Sequence, residues 1–342
     1  MHRSLVLWTL VLLTACSNAA PAPPPAVRSS RLVYEVVDST GPTPIRSTLT
    51  VEVQPPYRAR SVGADGASSL GGFAWDENGL YTVRPDGTAQ QSEFVPPGFP
   101  GPASHLDLAL PVAARQGLVT ALGTGSVLGR ACTRWLSEQP LDGARFRPAT
   151  SNDRTESCVD EAGLVLSDRW LLGGRLVRTR TAVASETGSD LTGDGLFNGR
   201  QPVPLPDGKS GFVVRRSTAL ELSRLLGVPP PPGPAGLAAD LAAAVLEVDS
   251  SGQGLTREGA VFTWTDQTTL AVLRVDRDLR PAAPAQPRGE AVQLGALGTG
   301  HLEPVLAGLR VSAAGPRGLR LVATANLPEP ALLSWIRSLR LE

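Results

Sequence analysis

Leu49, Val51 and Val53 alternate with Thr48, Thr50 and Glu52. Apolar and polar residues that alternate with a period of two make a strand with one buried face. This pattern recurs in short pieces, so the chain must build sheets. Residues 31–37 and 57–62 read as neighbouring strands, with Gln54-Pro55-Pro56 breaking between them. Residues 72–75 and 80–84 flank Asp76-Glu77-Asn78-Gly79, whose Asn-Gly pair suits a hairpin turn. Further strands are expected at 88–94, 118–122, 130–138, 156–160, 164–171 and 175–183, the last two joined at Gly173-Gly174. In the second half they are expected at 244–248, 260–265, 268–275 and 318–325. Helices are confined to 104–114, weakened by Pro111, to 217–226 and to 328–339. In the last, Leu332, Leu333, Ile336 and Leu339 share one face. No repeat of ~40–45 residues is present, which argues against a propeller.

The N-terminal residues address a different question. Met1-His2-Arg3 precedes an apolar run from Leu5 to Leu13. That run is far short of the ~20 apolar residues that span a bilayer, so residues 1–15 read as a signal peptide. Leu13-Thr14-Ala15-Cys16 resembles the bacterial lipobox. That resemblance implies a diacylglyceryl group on Cys16 and a protein anchored by lipid on the outer side of the cell membrane. Residues 16–30 are rich in Pro, Ala and Ser without hydrophobic periodicity, as in an extended tether.

Cys132 and Cys158 remain, an even pair in an oxidising compartment, and are expected to form a disulfide. A metal site would want further ligands, and redox chemistry favours a Cys-x-x-Cys spacing. Lys+Arg and Asp+Glu are equal at 32 each, and Lys209 is the single lysine. With no net charge and no basic block, nucleic acid is not an expected partner. Trp75, Trp135, Trp170, Trp264 and Trp335 read as core or interface aromatics.

Three stretches resemble the LolA/RseB-type family of envelope lipoprotein carriers and sigma-regulator lipoproteins. The first is the Tyr34-Glu35-Val36 strand with Gly72-Phe73-Ala74-Trp75-Asp76 and Leu80-Tyr81-Thr82-Val83. The second is Gly129-Arg130-Ala131-Cys132-Thr133-Arg134-Trp135, and the third runs from Cys158 through Asp160-Glu161 to Leu166. Val165 stands where that family often has proline. The resemblance implies an α+β, mainly antiparallel fold: an unclosed half-barrel with covering helices over 31–185, and a smaller β-rich domain ending in a helix over 237–342. Between them, 186–236 reads as a Pro/Gly-rich linker with a short helix. It also implies an apolar cavity, for which Val36, Leu49, Val51, Phe73, Trp75, Tyr81, Trp135 and Trp170 are the candidate lining, each of them equally a core residue.

The chemistry-bearing residues are sparse. His105 and His301 lie outside any ligand spacing, and His105 and Asp107 do not share a helical face. No Gly-x-Ser-x-Gly elbow, His-Glu-x-x-His or phosphate loop occurs, and Asp160-Glu161 sits in a turn. Residues 190–198 begin like a calcium loop, with Asp190, Thr192, Asp194 and Asn198 supplying oxygens and Gly195 at the sixth position. Gln201 stands where a bidentate glutamate belongs, so a Gly/Asp turn is expected instead and no metal or cofactor. The expected function is non-catalytic: binding or sensing of a lipid or acyl ligand. The alternative is a regulatory module contacting a membrane anti-sigma factor.

Overall fold

The computed structural model describes residues 29–94, 105–142, 145–150, 152–188, 191–205, 212–248, 255–279 and 288–340; Cys16 and Asp190 lie outside the described residues. Among them are 19 strands in two open sheets, with four α-helices.

The first sheet contains β1 (Ser30–Asp38), β2 (Ile45–Gln54), β3 (Arg58–Asp65), β4 (Ser68–Asp76), β5 (Gly79–Val83) and β6 (Ala89–Phe94). It continues with β7 (Thr120–Val127), β8 (Arg130–Ser137), β9 (Arg154–Val159), β10 (Val165–Leu172) and β11 (Arg175–Thr187). Their order is β6-β5-β4-β3-β2-β1-β11-β10-β9-β8-β7, two antiparallel meanders that meet where β1 pairs with β11. The Asn78-Gly79 hairpin joins β4 to β5, and Gly173-Gly174 joins β10 to β11, with these glycines at positive φ as such turns require. Cys132 and Cys158 are bonded across β8 and β9, with Cα atoms 5.5 Å apart.

The second sheet contains β12 (Phe212–Arg216), β13 (Ala238–Val248), β14 (Leu255–Thr265), β15 (Leu270–Asp278), β16 (Glu290–Gln293), β17 (Thr299–Val305), β18 (Gly308–Ala314) and β19 (Leu319–Ala325), in the order β12-β13-β14-β15-β19-β18-β17-β16. The sequence reading has no strand between 275 and 318, where β16, β17 and β18 form. In β17 the buried positions are Gly300, Leu302 and Pro304; glycine and proline in the inward places conceal the period of two.

Helices α1 (Leu106–Arg115), α2 (Gly193–Phe197), α3 (Ala219–Leu226) and α4 (Glu329–Ser338) cover these sheets. α3 starts at a capping box between Thr218 and Glu221 and ends at Gly227 in the left-handed region. Its Leu222 and Leu226, with Leu332 and Ile336 of α4, pack on Phe262, Leu273, Val311 and Leu321. The Trp335 indole donates to the Pro232 carbonyl at 2.8 Å and stands edge-on to Trp264 at 5.4 Å. Within the stretch read as a linker, Leu191, Leu196 and Phe197 are buried against Ala74, Tyr81 and Val83 of the first sheet. At its other end, β12 and α3 belong to the second. No described helix is long and apolar enough to cross a membrane.

Candidate functional site

Residues opposite one another in adjacent strands share a face. The row Val36, Arg180, Asp168, Ser157, Trp135 therefore fixes one face of the first sheet across β1, β11, β10, β9 and β8. Rows on the other side of β1 run Tyr34–Leu49–Gly63, Leu32–Val51–Ser61–Phe73 and Val53–Ala59–Trp75. Helix α1 packs on this face over β8–β10, with Leu106, Leu110 and Ala113 against Val159, Val165 and Trp135.

Seven of the eight sequence candidates share the α1 face; Tyr81 does not. It pairs with Ala74, one residue out of phase with Phe73 and Trp75, and projects to the opposite face. There Phe197 of α2 meets its ring edge-on at 4.9 Å. The alternation that made Tyr81 look inward is real, but on this part of the sheet the buried side is the one that α2 covers, opposite the α1 face. Val36 is buried in a core with Leu32, Tyr34, Leu164 and Leu166. Trp170 lies under the Arg178 guanidinium, 4.5 Å from its ring centroid. Leu49, Val51, Phe73 and Trp75 stand together.

Between them β3 presents only Ala59, Ser61 and Gly63. The result is a trough floored by small residues, walled by Leu49, Val51 and Val53 on β2 and by Phe73 and Trp75 on β4. Leu70 lies against Gly63 on the same face, since a Cβ there would meet the Leu70 Cβ at 3.5 Å. Phe73 is 55% exposed and Leu70 58%. α1 covers the other half of the face, and no helix among the described residues covers this half. Small residues carry no signal in a search for apolar linings, which is why Ala59, Ser61 and Gly63 were missed.

Trp75 also lines a cavity of about 1130 Å³ between the two sheets. Its apolar wall includes Leu118, Phe146, Val305 and Leu306, and five arginines line it beside two glutamates. Arg115 binds Glu290 and Glu329, and Arg310 binds Glu303. Arg145, Arg147 and Arg288 have no ion-pair partner among the described residues.

A second polar group sits under the covered half of the face. Arg180 is held between Asp168 and Asp142, with its guanidinium 5.0 Å from the Tyr34 ring. Burial pushes the Asp168 carboxyl up, opposed by the neighbouring Arg180 charge. The Tyr34 hydroxyl, also raised by burial, donates to the Val165 carbonyl at 2.6 Å.

The calcium-like stretch forms a five-residue helix, α2, rather than a turn. Arg60 donates to the Asn198 side chain at 2.7 Å and to the Gly195 carbonyl at 3.0 Å. No group of three or more metal-ligating side chains assembles among the described residues.

No family model and no curated protein matches the chain. Among solved structures, its neighbours include MucB. In the Pseudomonas aeruginosa MucA/MucB complex, the match is 15% identical and covers 93% of this chain and 94% of that one, with a TM-score of 0.29. An uncharacterised conserved protein from Thermus thermophilus is 10% identical over 52% of this chain and 90% of that one, at a TM-score of 0.32. A putative outer membrane lipoprotein-sorting protein domain from Vibrio parahaemolyticus is 8% identical over 50% of this chain and 90% of that one, at 0.24.

Proposed function

We propose that the chain is a non-catalytic envelope protein, anchored through Cys16, that takes an acyl chain into the trough along β3. The observation that supports this reading is the open half of the α1 face: an apolar groove with a small-residue floor and an exposed Phe73 at its wall. Burying hydrocarbon is worth ~0.8 kcal/mol per CH₂, so several methylenes give useful affinity without any polar motif. The trough needs no catalytic group, and the adjoining cavity at Trp75 offers room for whatever the acyl chain is attached to.

The test is native mass spectrometry of residues 17–342, exported behind a cleavable signal peptide without a lipidation site and recovered from the envelope of the source cell. A stoichiometric lipid that leaves on denaturation, and that is absent from Phe73→Asp, supports the reading. A protein that stays empty after exposure to envelope lipids overturns it.

The second reading is a regulatory module that holds the extracytoplasmic part of a membrane anti-sigma factor. Arg145, Arg147 and Arg288 favour it, because an acidic segment would find three arginines at the cavity without carboxylate partners among the described residues. MucB itself is known in complex with MucA. Capture of such a segment by the lipid-free protein, lost on reversing these three charges, separates this reading from the first.

A further inference from the structure

We infer that the trough is a ruler for one straight acyl chain of about ten carbons, with Leu70 as the residue that sets its length. The inference rests on the acyl reading above and names the ligand class which that reading leaves open. Alternate residues of a strand line one face. The floor on β3 is therefore Ala59, Ser61 and Gly63, and the next residue on that face is Asp65, which is exposed. Beside it on β2, the residue that follows Leu49 in the same direction is Ser47. The apolar lining stops at the row of Leu49 and Gly63, and a carboxylate stands just past it.

Leu70 closes that end. The pairing of β3 with β4 shifts register between Gly63 and Ala64, which leaves Leu70 as the extra residue of a bulge. The bulge turns its side chain over the end of the floor, where a Cβ on Gly63 would meet the Leu70 Cβ at 3.5 Å and its Cδ1 at 3.7 Å. Leu70 belongs to none of the buried clusters of the first sheet, so the core does not account for a leucine there. The opposite end of the floor, at Ala59 and Trp75, leads to the cavity lined by Arg145, Arg147 and Arg288. A polar head belongs among those arginines, and the methyl end of the chain then meets Leu70.

Length and width follow from strand geometry. Gly63 lies four residues beyond Ala59 on β3, and at about 3.3 Å per residue the floor is about 13 Å long. Carbon–carbon bonds of about 1.5 Å meeting at about 111° advance an extended chain by about 1.25 Å per carbon, so this floor takes about ten carbons. Adjacent strands lie about 4.8 Å apart, which sets β2 and β4 about 10 Å from one another across β3. With Leu49, Val51, Phe73 and Trp75 standing along the two sides, that width admits a single chain. A lipid with several chains would insert one of them.

Titration calorimetry tests it, on residues 17–342 stripped of bound lipid. The probes are straight-chain saturated fatty acids of about six to about fourteen carbons, each kept below its micelle concentration. Affinity should rise by about two- to fourfold per added methylene as far as about ten carbons, and then level off. Leu70→Ala should leave the affinity of the short acids unchanged and move the break to chains longer by about two or three carbons. An affinity that climbs through the whole series without a break overturns the ruler and leaves the acyl reading standing. So does a break that Leu70→Ala does not move. A protein that binds none of the acids overturns both.

Discussion

The His105 imidazole Nε2 lies 3.1 Å from the side-chain amide nitrogen of Asn326, joining the start of α1 to the end of β19. The orientation of that amide is set by its other bonds. Its oxygen accepts from the Leu270 N–H at 2.6 Å, and its nitrogen donates to the Thr268 carbonyl at 2.7 Å. The nitrogen is therefore the donor, and His105 accepts as a neutral ring. The His105 backbone N–H donates to the Leu306 carbonyl at 2.8 Å. At the far end of α1, Gln116 donates to the Leu302 carbonyl at 2.8 Å. One short helix thus ties the two sheets together.

Burial pushes the His105 pKa down to about 4 from an ordinary 6.5. The unfolded chain then binds the proton more readily than the folded one. The contribution to stability is fully present above about pH 6.5 and is lost as pH falls toward 4, on the order of 2 kcal/mol. Asp76, Asp107, Asp168 and Asp276 are raised by burial and act in the opposite sense. The contrast with His105→Gln, which keeps an acceptor and does not titrate, isolates the effect. The stability advantage of the wild type over this variant, read from urea midpoints, should shrink as pH is lowered from 7 to 4; parallel curves would refute the assignment.

Reducing the Cys132–Cys158 bond frees a loop with a sequence separation of 26. On the chain-entropy model this costs roughly 3.5 kcal/mol. Melting with and without reductant should differ clearly for the wild type and not at all for the Cys132→Ser/Cys158→Ser protein. Gly125→Ala should also lower the melting temperature, because the new methyl crowds the Cys158 sulfur.

Removing Arg180 leaves the buried Asp168 without its counter-charge. Arg180→Met should cost about 3–5 kcal/mol. Adding Asp168→Asn removes the orphaned charge and should recover a substantial part of the loss. Chemical denaturation of the single and double variants reads this directly, and simple additivity would show that the two groups are not coupled.

The trough makes its own demand. Gly63 is not at positive φ, and a Cβ there would meet Leu70 in ordinary contact at 3.5 Å. Gly63→Val should therefore fold with near-wild-type stability while filling the floor. Lipid retained at full stoichiometry by that variant would place the acyl chain elsewhere.

The sequence by itself determined the local structure. Alternation and turn residues set where β1 to β5 and β8 to β11 run, because a period of two and the needs of an Asn-Gly or Gly-Gly turn act within a few residues. The spacing of Leu332, Leu333 and Ile336 likewise marks the buried side of α4. Tertiary structure decided which faces are covered. α2 packs on the far side of β4 and β5, and this removed Tyr81 from the site. The second sheet, packed against α3 and α4, claims β16 to β18 despite inward glycine and proline. A trough is a relation among three strands, made as much by the absence of side chains on β3 as by the residues that flank it. That absence has meaning only after the strands are paired.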